Sequence, residues 1–149
     1  MTYWHFALAA TFALFAAPAI SEDDNSVRSL IANLDLTSFP NSTGPRRAAG
    51  KTTFADYGFS RVEMTPGGAK LTASDGSWVM SFEIVSSSSD TVEICFHDQA
   101  LGRPGQVFRP SYNATSALRV TKSPRAKWSA QQVVSGYFDC RNDPPAASE

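Results

Sequence analysis

Residues 57–98 read YGFSRVEMTPGGAKLTASDGSWVMSFEIVSSSSDTVEICFHD, and this stretch decides the fold class. Thr65-Pro66-Gly67-Gly68 places proline at the second position of a turn, where its fixed φ fits, and glycine at the third, where a type II turn needs positive φ. Ser74-Asp75-Gly76-Ser77 carries the Asp-Gly signal of a two-residue hairpin. Ser86 to Asp90 is a short polar run that suits a slightly longer loop. Counting outward from the first two turns sets Met64 against Ala69, Val62 against Leu71, Ala73 against Trp78, Leu71 against Met80 and Ala69 against Phe82. A three-residue loop at 87–89 extends the ladder, with Ile84 facing Val92, Phe82 facing Ile94 and Met80 facing Phe96. All these apolar residues fall on one face, and a one-residue slip in any strand would turn its set to the wrong side. Arg61, Glu63, Lys70, Thr72, Ser81, Glu83, Glu93, Cys95 and His97 occupy the other face, with Val79 and Val85 as exceptions. The stretch therefore predicts a four-stranded antiparallel meander with one buried face and one wet face. Such a sheet cannot cover its own apolar face, so the rest of the chain must close over it.

The remainder predicts what does so. Val27, Leu30, Ile31 and Leu34 recur at helical spacing, with Asn25 or Ser26 as N-cap, and predict a short helix over about 26–35 behind an acidic lead-in. Phe39 to Thr53 reads as loop. Beyond the meander, Val107 to Val120 is interrupted by Pro110, Ser116 to Lys122 resumes alternation, and Trp128 followed by Val133 to Cys140 reads as a last strand. The expected fold is mainly β: a small antiparallel barrel or sandwich built on the 57–98 meander, with one short N-terminal helix.

The chain has 149 residues and a net charge of −1, which predicts one domain. Phe6 to Ala17 is an apolar run too short to span a bilayer, and Ala17-Pro18-Ala19 has the small-x-small form of a cleavage site. Residues 1–19 contain no Lys or Arg, so a signal peptide here would have a weakly charged start. The expected organisation is a signal peptide at 1–19, one β-rich domain at 20–142 and a flexible tail at 143–149. No later segment is apolar enough to cross a membrane. Export to a periplasmic or extracellular compartment makes Cys95 and Cys140 a structural disulfide, since they lack the C-x-x-C spacing of redox cysteines.

Several chemistries are excluded by the same residues. Gly50-Lys51-Thr52 resembles the end of a phosphate-binding loop, but position 45 is proline and Gly44 lies one residue too far upstream. His97 is the one histidine beyond residue 19, which leaves no imidazole cluster for zinc. No G-x-S-x-G elbow accompanies it. Asn41-Ser42-Thr43 and Asn113-Ala114-Thr115 fit the N-glycosylation pattern, which has meaning only in a eukaryotic host. No catalytic residue, metal site or cofactor is assigned.

Charge is distributed unevenly. Residues 1–98 hold eleven acids and six bases, whereas Gln99 to Phe138 hold six bases and no acid. Arg119, Lys122, Arg125 and Lys127, with Trp128 beside them, form the centre of this basic half. The leading expectation is an exported binding protein for an anionic partner, whether an envelope polymer, a lipid head group or an acidic protein. An inhibitor of a secreted enzyme belongs to the same class. Nucleic acid is disfavoured by export and by the absence of a reader motif. Two alternatives come from other classes. A hydrolase could use Glu83 and Glu93, set opposite each other by the predicted register, with His97. An envelope structural or assembly subunit would instead present an apolar patch and no pocket.

Overall fold

The structure, a computed structural model, describes residues 22–40, 43–102, 105, 112–125, 127–133 and 140. The predicted signal peptide and the 143–149 tail lie outside them, as do the Val107–Pro110 segment, residues 134–139 and the start of the first sequon. The chain is mainly β: a seven-stranded mixed sheet curled into a half-barrel, with one short α-helix. The elements are α1 (Glu22–Asn33), β1 (Leu34–Asp35), a 3-10 turn (Leu36–Ser38), β2 (Phe59–Thr65), β3 (Gly68–Ala73), β4 (Trp78–Ser87), β5 (Thr91–Ala100), β6 (Asn113–Lys122) and β7 (Trp128–Gln132). The strand order is β1-β7-β6-β5-β4-β3-β2, and the β1–β7 pair alone is parallel, which makes the sheet mixed.

The first two hairpins have the register counted from the sequence, with Met64 against Ala69, Val62 against Leu71 and Leu71 against Met80. Gly67 adopts a φ of 72°, as its turn position requires. Gly68 is held for another reason: a Cβ there would lie 2.1 Å from the Phe82 carbonyl oxygen.

The third hairpin departs from expectation. Its loop falls one residue later, at 88–90, and Val85 bulges out of β4. Phe82 therefore faces Phe96, Ile84 faces Ile94 and Met80 faces Asp98. This slip of two keeps every apolar side chain on the inner face, so alternation could not detect it. Loop chemistry could not either, because the serine run accepts a turn at several positions. The bulge also explains why Val85 stood out on the polar face: it is 49% exposed at an unpaired position.

The helix starts earlier than predicted. The helix begins at Glu22, so the acidic stretch read as a lead-in falls within it. The Val27, Leu30 and Leu34 stripe is fully buried and belongs to the same core as Leu71, Met80, Ile94, Phe96, Leu118 and Val120. The Trp128 indole N–H donates to Ser29 Oγ at 2.9 Å, fixing the helix to β7. Between helix and sheet, the 36–59 segment adds Leu36, Phe39, Phe54 and Phe59 to the core, and the Phe39 ring meets Phe96 edge-on at 4.8 Å. The last described strand is Trp128–Gln132, earlier than the Val133 to Cys140 reading placed most of it. Among the described residues, no helix is long and apolar enough to cross a membrane.

On the outer face Cys95 is bonded to Cys140, 45 residues further along the chain. Closing a loop of that size removes unfolded-state entropy worth about 4 kcal/mol. Replacing both cysteines with alanine should lower unfolding free energy in urea by about that amount. A loss under about 1 kcal/mol would show that the Cys140 segment unfolds apart from the sheet.

Candidate functional site

Consecutive antiparallel strands put alternate turns at the same end of a sheet. The β2–β3 turn, the β4–β5 loop and the β6–β7 turn therefore share one end of the half-barrel. The last two touch: the Lys122 backbone N–H donates to the Asp90 carbonyl at 2.8 Å. Ser123 N–H donates to the Lys127 carbonyl at 2.8 Å and closes the β6–β7 turn. Lys122, Arg125 and Lys127 are exposed around it, and among the described residues none of the three has an ion-pair partner. Ser88 and Ser89 stand on the adjoining loop, also exposed.

The other two residues of the predicted basic centre sit differently. Arg119 lies directly across from Glu93 in the β5–β6 ladder and grips its Oε1 through Nη2 at 2.8 Å and Nε at 3.2 Å. Ser86 adds a hydrogen bond to Glu93 Oε2 at 2.8 Å. The Arg119 hydrogen bonds, followed by that of Ser86, hold the Glu93 carboxyl below the usual glutamate range. Trp128 is only 4% exposed and is a core residue. Lys122 Nζ lies 5.7 Å from its ring centroid, so the indole supports a surface cation rather than meeting a ligand.

The direct opposition of Glu83 and Glu93 premised for a hydrolase is not formed. Glu83 faces Cys95 and Glu93 faces Ser86, because the shifted hairpin moves them out of opposition. On the outer face His97 lies opposite Ser81, one diagonal step from Glu83, and its Nδ1 is 2.8 Å from Thr115 Oγ1. Among the described residues no group of three His, Cys, Asp or Glu side chains could hold a metal ion.

The structure also brings together a cluster the sequence reading missed. Asp98 is fully buried on the inner face. The Trp78 indole N–H donates to its Oδ1, while the Gly44 N–H at 2.8 Å and the Tyr112 hydroxyl at 3.2 Å donate to Oδ2. Beside it the Thr43 and Ser116 hydroxyls are 3.0 Å apart in the interior. The 39–47 loop is thus pinned to β5 and β6 by two buried polar contacts. A cavity of about 200 Å³ lies against that loop, lined by Phe39, Pro40, Gly44 and Pro45 with Arg46 and Arg47 at its rim. Burial pushes the Asp98 carboxyl up despite its three donors, which act in the opposite direction. The signal was present in the sequence: Asp98 shares the even parity of Val92, Ile94 and Phe96, so an acid occupies a core position.

The sign of the pH effect follows from these shifts. Asp98 holds a proton more readily folded than unfolded, so its contribution favours the fold at low pH and is lost as pH rises through the raised value. Glu93, and Asp56 with a value of about 2 set by the Thr53 and Thr52 backbone N–H groups, act oppositely and lose their contribution on acidification. Asp98→Asn turns an amide N–H₂ toward converging donors and should cost about 1–3 kcal/mol at neutral pH. Urea unfolding of both proteins from about pH 8 to 4 should show the gap widening as pH falls. A gap that narrows would contradict the burial assigned to Asp98.

Comparison of the chain with protein-family models, with curated proteins and with solved structures finds no match, so its function is argued from this geometry alone.

Proposed function

We propose that the protein is an exported, non-catalytic binding protein that holds an anionic partner at the β6–β7 end of its half-barrel. The observation that carries this reading is the set of three exposed cations, Lys122, Arg125 and Lys127, at a hydrogen-bonded turn with no carboxylate paired to them among the described residues. Neighbouring like charges repel, and Asp90 on the adjoining loop forms no ion pair with them, so an anion brought between them relieves repulsion as well as gaining attraction. The Ser88 and Ser89 hydroxyls on the adjoining loop are engaged by the Thr91 carbonyl and the Asp90 carboxylate, so the three cations carry the contact. Arg119 and Trp128 leave the contact set, the first being engaged by Glu93 and the second buried.

Export is supported by the Cys95–Cys140 bond, since disulfides persist in oxidising compartments. The small barrel built on the 57–98 meander belongs to the same proposal, as the rigid frame on which the turns are displayed. Of the anionic partners, a polymer with repeated phosphate, sulfate or carboxylate groups suits a compact patch of three cations. A free monovalent anion would gain too little from exposed, salt-screened charges to be held.

The test is retention on immobilised dextran sulfate across a salt series, with anionic phosphatidylglycerol vesicles as a separate arm. The triple variant Lys122→Gln, Arg125→Gln, Lys127→Gln should bind roughly a hundredfold more weakly at low salt, from about 1 kcal/mol per cation near an anionic surface. Arg119→Gln should leave retention in place while lowering stability, because its partner is Glu93. Equal retention of the triple variant and the unaltered protein would sink the reading.

A further inference from the structure

Strand β2 ends the sheet, and no strand pairs with its outer side among the described residues. Every residue from Ser60 to Thr65 is exposed. Val62 and Met64 remain 42% and 39% exposed, although their cross-strand neighbours Leu71 and Ala69 are buried. Native edge strands are normally shielded by proline, a bulge, charged side chains or a covering segment, and β2 carries the charges Arg61 and Glu63. Here the one irregularity is at Ser60, and Arg61 to Thr65 run without interruption.

The direction of the free backbone groups can be deduced. The Ile84 N–H donates to the Gly67 carbonyl at 2.8 Å, which makes Gly68–Glu83 a non-hydrogen-bonded pair. The Gly68 N–H and C=O therefore point back to Thr65. Alternation along β2 then aims the backbone groups of Thr65, Glu63 and Arg61 at β3, and those of Val62 and Met64 outward from the sheet.

That phase restricts how a second copy could pair. Two identical antiparallel strands must be related by an axis through one residue, since any odd offset sets an outward-facing residue against an inward-facing one. An axis at Arg61 sets arginine against arginine, and an axis at Glu63 sets glutamate against glutamate. An axis at Met64 sets Val62 against Pro66, which has no N–H to donate. An axis at Val62 has none of these faults and meets only the Ser60 irregularity at the end of the paired segment. Val62 exchanges both backbone hydrogen bonds with its counterpart, Met64 faces Ser60 of the second copy, and Arg61 faces Glu63 of the second copy in both halves. Opposite charges directly across a ladder stabilise it and like charges do the reverse.

We propose that β2 is a self-association edge, through which two copies pair antiparallel about Val62 and join their half-barrels into one continuous sheet. Val62 would then meet its counterpart on the inner face, with each Met64 diagonal to Val62 of the second copy. The surface contacts that Arg61 and Glu63 now make, to the Ala73 carbonyl at 3.1 Å and to Lys70 at 3.5 Å, are exposed and are compatible with the new pairing.

Sedimentation velocity of the purified, disulfide-bonded protein over a concentration series tests this. The unaltered protein should show a monomer–dimer equilibrium, and Val62→Pro, which deletes the central outward N–H without touching the β3 ladder, should abolish it. Arg61→Glu and Glu63→Arg should each weaken the dimer about tenfold, and the double exchange should restore it. Thermal melting identifies any variant that fails to fold. Amide exchange of the unaltered protein gives an answer without mutation: Val62 and Met64 should become more protected with concentration. A monomer at every concentration, a dimer that survives Val62→Pro, or a double exchange as weak as its single parents would overturn the proposal.

Discussion

The structure depends on covering one face of a single curled sheet. Seven strands in one layer present an inner apolar surface that no second sheet covers among the described residues. Among the described residues, those from helix α1 to Phe59 are spent on that task. Helix α1 lays Val27, Leu30 and Leu34 against it, and the 36–59 segment adds four further large side chains. This cover runs out at β2, where inner-face residues are left partly in water. The exposed edge and the buried core are two results of the same constraint, since one short helix and one loop cannot reach the whole width of the sheet.

Covering a sheet with a loop brings backbone polar groups into the interior, and these need partners. Asp98 meets part of that need by accepting the Gly44 N–H, and in doing so introduces a carboxyl that must itself be satisfied. The Trp78 and Tyr112 donors complete the arrangement, and Thr43 with Ser116 makes a second tie close by. A hydrophobic residue at position 98 would pack against Met80 more cheaply but would leave the loop amide unpaired. The acid at a core position is thus explained by the loop it fastens, with no catalytic role required.

How much of this was legible in the sequence depended on the length of the signal. Turns with Pro-Gly and Asp-Gly specify their own position, so the β2–β3 and β3–β4 registers could be counted. Ser86 to Asp90 offers no such specification, and the bulge at Val85 absorbed the difference without disturbing alternation. That hidden shift had a chemical consequence. It separated Glu83 from Glu93, removing a like-charge opposition, and left Glu93 to Arg119 and Ser86. Asp98 was placed on the face opposite His97, but its buried cluster was missed because alternation was used to collect apolar residues rather than to ask which polar residue shared their parity. The helix start was misplaced because an acidic stretch looks the same as a solvated lead-in and as part of a helix.

Charge counting had a similar limit. Six bases without an acid between Gln99 and Phe138 describe composition, whereas pairing is decided by register across strands. The β5–β6 ladder places Arg119 over Glu93 and so neutralises one base with an acid from far earlier in the chain. The cations at the β6–β7 turn lie beyond the last pair of that ladder, where Asp90, the acid across from Lys122, forms no ion pair with them, and this is why they and not Arg119 carry the binding proposal. Strand order adds a final step. β2 and β7 are separated by four strands, so association through β2 leaves each β6–β7 turn uncovered. A pair of copies would then present two basic turns on one rigid body. A polyanion long enough to touch both would be held more tightly than either turn alone could hold it, because the second contact forms at high effective concentration.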